Sequence, residues 1–395
     1  MRRREFLSLP AAAMAAGPQR KRLAALVTTY HVRSHADNIV TRLLEGYWIG
    51  DRYYPPQFEI AALYMDQVHP ADIGHRLAGA YGFPVTKSIE EALTAGTNRL
   101  AVDGVVIVAE HGEYPFNDRQ QQLYPRFEFF ERVVNVFRKS GRSVPVFSDK
   151  HLSWSWERAK RMYDWSRELG FAFMAGSSVS VTFRRPELDY PLGTEFADAL
   201  MVGGGWVTDG GIFHDLETLQ CFVERRKGGE TGIRAVQHFQ GADVWEKGLV
   251  PKDLMRAAIS RSLKPATGRP EDVKNPVLCR IEYNDGFRAA VLALGGLVSD
   301  YLVALQVKGR PAIDSTLCYV PAQNSNNFSL LVHGMSQMFE TGKATYPVER
   351  TLLTTGALAA LMESAYRKHQ RMETPELRVA YTAPVKSFYG HGEGS

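Results

Sequence analysis

Short apolar runs alternate with amphipathic stretches along the first 180 residues. Residues 23–29, 59–65 and 104–109 are strand-length runs, apolar on both sides, and 144–147 and 171–174 repeat the pattern. Between them, 36–45, 71–81, 88–94, 127–140 and 153–169 carry the 3.6-residue period of helices, with Ser88 as a cap and Glu91 at the capping-box spacing. A polar, aromatic insert covers 46–57 and holds Pro55-Pro56. Buried strands alternating with helices predict parallel pairing through right-handed crossovers, hence a Rossmann-like doubly wound domain over 23–180.

The pattern changes near Pro186–Pro191. Residues 195–202, 232–239, 277–283, 287–294 and 301–307 read as longer strands, and Asn284-Asp285-Gly286 supplies the positive φ of a hairpin turn. Helices are expected at 328–340 and 348–369. Residues 181–395 are therefore predicted to form an α+β domain with an open, mainly antiparallel sheet.

The chain has 395 residues, 45% hydrophobic and 23% charged, with a net charge of +4. Six cations against Glu5 lie in residues 1–22, which leaves the rest at −1, so the basic balance gives no nucleic-acid footprint. Arg3-Arg4-Glu5-Phe6-Leu7 followed by a short, Ala-rich apolar segment resembles a twin-arginine export signal over 1–22. That segment is too short to span a bilayer. The reading places the mature protein in the periplasm or outside the cell, delivered folded by the twin-arginine machinery. Cys221, Cys279 and Cys318 are too few and too scattered for a disulfide framework or a zinc motif and read as buried small hydrophobes.

Five segments occur in the order found in the glucose–fructose oxidoreductase / inositol dehydrogenase / MocA (Gfo/Idh/MocA) family, which the chain resembles from about residue 23 to 380. They are 78–93 (AGAYGFPVTKSIEEAL), 103–109 (DGVVIVA), 144–151 (VPVFSDKH), 203–214 (GGGWVTDGGIFH) and 346–374. The resemblance implies an NAD- or NADP-dependent oxidoreductase acting on a carbohydrate-like small molecule, and a homo-oligomer. It implies that Lys150 orients the reacting hydroxyl, that His214 exchanges its proton, and that Asp209 shares their segment. It also places Thr29, Tyr30, His31, Asp66, Glu110 and Asp149 around a dinucleotide. Two departures stand out. The glycine-rich turn after the first strand is replaced by Thr28-Thr29-Tyr30-His31-Val32-Arg33-Ser34-His35, whose side chains would occupy the pyrophosphate's space. The family's Glu-Lys-Pro signature reads Asp149-Lys150-His151.

The residues themselves support a related reading. Ligands of open parallel sheets sit beyond the carboxyl ends of the strands, and those ends gather His31, Asp66, Glu110, His111, Glu113, Asp149, Lys150 and His151. A lysine between acids can polarise an oxygen, and an imidazole titrates near working pH. His111, Glu113, His151 and Glu217 also form a candidate Zn or Mn set. The alternatives left open are a dinucleotide-independent, metal-assisted carbohydrate lyase, hydrolase or isomerase on the same fold, and a non-catalytic binding protein. Gly203-Gly204-Gly205 is expected to serve close packing, Trp154, Trp156 and Trp165 to serve the core, and 224–227 (ERRK) to be a solvated helix end.

Overall fold

A computed structural model describes residues 20–204, 209–264, 267–321 and 325–392. The paired arginines of the export motif and Gly205 lie outside these residues.

Six parallel strands form the first sheet: β1 (Arg22–Val27), β2 (Glu59–Met65), β3 (Val85–Thr86), β4 (Gly104–Val108), β5 (Val146–Asp149) and β6 (Phe173–Gly176), in the order β3-β2-β1-β4-β5-β6. The order reverses direction on either side of β1, which makes the carboxyl ends of β1 and β4 the switch point. Alternate residues of β1 feed two cores, as a strand buried on both faces requires. Leu23, Ala25 and Val27 pack on one side with α1 (Gly74–Tyr81), and Ala24 and Leu26 on the other with α2 (Ile89–Thr94), α3 (Arg126–Ser140) and α4 (Trp156–Glu168). Ser88 Oγ accepts from Glu91 N at 3.1 Å, as the capping motif predicts. The leader reading meets the fold at its last residues. Arg22 opens β1, and Lys21 Nζ donates to the carbonyls of Phe339 and Glu340 at 2.9 Å.

The second sheet has eight strands: β7 (Phe183–Arg185), β8 (Phe196–Gly203), β9 (Ile233–Gln240), β10 (Val277–Tyr283), β11 (Arg288–Ala293), β12 (Tyr301–Val307), β13 (Ile313–Tyr319) and β14 (Met372–Glu373), in the order β14-β9-β10-β11-β8-β12-β13-β7. Every pairing is antiparallel except β8 with β11. The β10–β11 hairpin turns at Asn284-Asp285-Gly286, with Gly286 at φ +85°. One face of this sheet packs on α5 (Asp209–Val223) and on α8 (Val348–Tyr366). The other face, through Leu200, Val202, Leu292, Leu302 and Ala304, is covered by Val244, Val250 and α6 (Lys252–Ile259). Helix α7 (Asn326–Thr341) returns to the first sheet, where Phe328, Leu331, Met335 and Phe339 join the core around Val106 and Phe147.

Two expectations fail here. Residues 224–226 are not a solvated helix end: Glu224, Arg225 and Arg226 are at most 3% exposed. Arg350 donates to Glu224 at 2.5 and 2.8 Å, and Arg226 to Glu230 at 2.8 and 2.9 Å. Fork-shaped guanidinium–carboxylate pairs make this burial tolerable. Of the three tryptophans expected in the core, Trp165 is fully buried, Trp156 is half-buried and packs against two cores, and Trp154 is half-buried. The three cysteines are free and buried, and Gly204 sits against the Val298 backbone with no room for a side chain.

Candidate active site

The rim at the carboxyl ends of β1, β4, β5 and β6 holds the densest set of ionisable groups. Lys150 follows β5. It is 7% exposed and its Nζ donates to Glu110 Oε1 at 2.8 Å. Glu110 follows β4 and its second oxygen takes the guanidinium of Arg126. Burial works against the Glu110 charge, but the Lys150 and Arg126 cations hold its carboxyl well below the usual range. Arg126 also donates to His151 Nε2 at 3.1 Å, and burial beside that cation keeps His151 neutral.

Two histidines flank this core. His35 Nδ1 lies 2.6 Å from Asp149 Oδ2. A carboxylate only accepts, so Nδ1 carries a proton, and in the neutral ring the basic nitrogen is Nε2. His214, on α5, is the converse case. Ser177 Oγ lies 2.6 Å from its Nδ1 and accepts from Val179 N at 3.0 Å, which leaves the hydroxyl proton free to be donated to Nδ1. In that arrangement neutral His214 carries its proton on Nε2. Burial lowers its pKa well below the usual value, and the Lys150 charge adds to this. Asp209 opens α5 and accepts from Gln122 N at 3.2 Å, with its pKa raised by burial. Arg33, His111 and Lys150 adopt left-handed φ values of 65°, 69° and 64° at three adjacent strand ends, a conformation that costs non-glycine residues energy and clusters at functional sites.

Of the residues expected from sequence, Glu110, His111, Asp149, Lys150, His151, Asp209 and His214 come together. Thr29 and Asp66 lie at the ends of β1 and β2. Tyr30 is a core residue whose hydroxyl meets Thr41 at 2.8 Å. The metal set does not assemble, and among the described residues no group of three histidine, cysteine or carboxylate side chains is placed to hold an ion. Glu113 is exposed and its N–H donates to Gln67, His151 takes Arg126, and Glu217 is buried behind the site against Ser177 N and Thr351. His35, Arg126 and Ser177 were not singled out in the sequence. His35 alone carried a signal, four residues after His31 in the stretch that replaces the glycine turn.

That stretch decides how a dinucleotide could sit. Ser34 Oγ accepts from the N–H groups of both His31 and Asp37, and Asp37 accepts from Arg33 N at 2.8 Å. These amides, which would otherwise meet a pyrophosphate, are satisfied by the chain itself. The rings of His31 and His69 lie 4.2 Å apart, tilted by 31°, and His111 closes on His31 at 5.6 Å. Asp66, the ribose-side carboxylate, accepts from Tyr64 at 2.9 Å and Tyr114 at 2.6 Å. The residues present do not fit a dinucleotide in the pose that a glycine turn allows.

The class of molecule follows from these elements: a doubly wound nucleotide-fold domain joined to an open-sheet domain, with an ionisable rim between them. Solved structures share this fold. GenD2 from gentamicin A biosynthesis, in complex with NAD, matches at a TM-score of 0.53 and 15% identity, over 93% of this chain and 99% of that one. A myo-inositol 2-dehydrogenase from Lactobacillus plantarum matches at 0.53 and 10%, over 90% and 99%. A scyllo-inositol dehydrogenase from Lactobacillus casei matches at 0.53 and 12%, over 90% and 99%. The resemblance read from the sequence thus holds for the fold of both domains. No family model matches the sequence, and no curated protein matches it. No helix among the described residues is long and apolar enough to cross a membrane.

Proposed function

We propose that this chain is an enzyme acting at a hydroxyl-bearing carbon of a sugar-like polyol or its ketone, with Lys150 and His214 at the reacting oxygen. The observation that carries the reading is the buried Lys150–Glu110 pair, whose ammonium lies against Gly210, one turn before His214 on α5. An ammonium anchored by a buried carboxylate keeps two N–H bonds for an oxygen ligand, and a neutral imidazole adds a directional donor. The shared fold with dehydrogenases of inositols supports the substrate class and the oxidoreductase type. Export through the twin-arginine route belongs to the same reading and rests on residues 1–22.

Two forms of the reaction are supported by different observations. NAD(P)-dependent oxidation is supported by the fold common to this chain and the NAD complex of GenD2. Proton transfer without a dinucleotide is supported by the filled turn after β1. Isothermal titration of the purified protein with myo-inositol and glucose tests the common part, with Lys150→Met in parallel. Binding by the wild type that is lost in the variant is expected. Equal binding by both proteins would remove Lys150 from the site and favour a scaffold without catalysis.

A further inference from the structure

We propose that His35, oriented by Asp149, is the general base of a redox-neutral proton transfer next to the carbonyl of a sugar-like ketone, with Lys150 and His214 holding the enolate oxygen. The inference rests on the reading of the site given above and assigns its reaction.

In this scheme the two flanking histidines take opposite tautomers. Asp149, 1% exposed, takes Nδ1–H of His35, so the basic nitrogen of the neutral ring is Nε2. Ser177 Oγ lies 2.6 Å from Nδ1 of His214, and its hydroxyl donating there leaves an N–H on Nε2. In that assignment one ring accepts a proton where the other donates a hydrogen bond. Contacts place both at the Lys150 rim: His35 meets His111, the neighbour of Glu110, at 5.3 Å and is held by Asp149, while Lys150 N donates at 3.0 Å to Gly176 O, next to the Ser177 that meets His214. His35 is further held edge-on by Phe328 at 4.9 Å and by His111 at 5.3 Å, so its orientation is set on every side.

The step balances without an outside reagent. His35 Nε2 takes the proton from the carbon beside the carbonyl. The C–H electron pair becomes the carbon–carbon π bond, and the carbonyl π pair moves to oxygen. Lys150 Nζ–H and His214 Nε2–H stabilise that negative oxygen, and a neutral imidazole suits this electrophilic role. Return of the proton from His35 to the same carbon, or to its neighbour after the enediol shifts a proton, regenerates a ketone or gives its isomer. No electrons leave the substrate. The reaction therefore has no need of the hydride acceptor for which the turn after β1 has no room.

Asp149 and Ser177 are positioning residues in this scheme. The test has two parts, both made on the purified full chain. In 15N-detected imidazole spectra, the wild type is expected to show His35 protonated on Nδ1 and His214 on Nε2. Asp149→Asn is expected to disturb the first and Ser177→Ala the second. In D2O without nucleotide, fructose and a keto-inositol are expected to exchange a C–H for deuterium beside the carbonyl. The rate is expected to fall at least a hundredfold in His35→Ala and roughly tenfold in Asp149→Asn, with His35→Gln as a second variant if the alanine form does not fold. Reversed tautomers, exchange that survives loss of His35, absence of exchange with both ketones, or stoichiometric NAD+ or NADP+ in equilibrium dialysis would each overturn the proposal. If polyol binding still depends on Lys150 while exchange is absent, only this inference falls and the site remains.

Discussion

Lys150 Nζ and Glu110 Oε1 stand 2.8 Å apart with both side chains about nine-tenths buried, and Arg126 closes on the other carboxylate oxygen. One anion is therefore shared by two buried cations. Glu110→Gln leaves Lys150 and Arg126 facing each other, and removal of one partner from a buried pair costs about 3–5 kcal/mol. Lys150→Met leaves Glu110 still paired with Arg126 and is expected to cost less. Urea denaturation of the two variants checks the order. A Glu110→Gln protein as stable as the wild type would mean that the carboxylate does not hold this rim together.

The pH dependence of stability follows from two opposed sets of buried groups. Burial lowers His111 and His238 to about 4, and pushes His151 and His214 down as well. These imidazoles bind protons in the unfolded chain below 6.5 but not in the folded one, so stability is lost as pH falls through that range. Burial raises Asp215 to about 8 and Glu217 to about 7. The folded state keeps those protons after the unfolded chain has released them, so stability declines as pH rises toward 8. Thermal melts are expected to peak near pH 6.5. Asp215→Asn is expected to flatten the alkaline limb and, because Asp215 holds its extra proton from 3.8 up to about 8, to steepen the acid limb.

Gly104 begins β4 beneath α7. A methyl group at its Cα would lie 2.6 Å from Phe339 Cδ1 and 2.7 Å from Leu23 Cδ2. Overpacking of this kind costs roughly 1–3 kcal/mol, so Gly104→Ala is expected to lower the melting temperature. Phe339→Leu in the same chain is expected to restore part of the loss by making room, which calorimetry of the double variant would show.

Changing Arg3 and Arg4 to lysine tests the export reading apart from the fold. The doubly substituted protein is expected to remain in the cytoplasm, folded and full length, where the wild type reaches the periplasm. Cell fractionation with antibody detection reads the difference, and unchanged export would remove the twin-arginine assignment.

The first sheet was legible because strands buried on both faces leave continuous apolar runs, and the rim followed because parallel strands end together. The Asn-Asp-Gly hairpin was legible for a local reason, its positive φ. What escaped depends on distant partners. His35 gains its meaning from Asp149, 114 residues further on. Arg126 just precedes the helix expected at 127–140 and carries no signal until Glu110 and His151 are placed beside it. Residues 224–226 look solvated in sequence because charge runs usually are, and their burial depends on Arg350, 126 residues away from Glu224. Strand β13 and helix α6 were missed, since Ile313–Tyr319 mixes polar and apolar positions and α6 has only eight residues.

Helix α6 bears on assembly. The resemblance in sequence suggests an open sheet that meets another copy, yet the face carrying Leu200, Leu292 and Leu302 is already roofed by residues of the same chain. A core finished from within does not wait on encounter with a second molecule, and its completion is independent of how dilute the protein is. Such a chain resists unfolding equally at nanomolar and millimolar levels, unlike one whose subunits complete each other. If the export proposed for residues 1–22 takes place, that self-sufficiency would let each copy arrive folded.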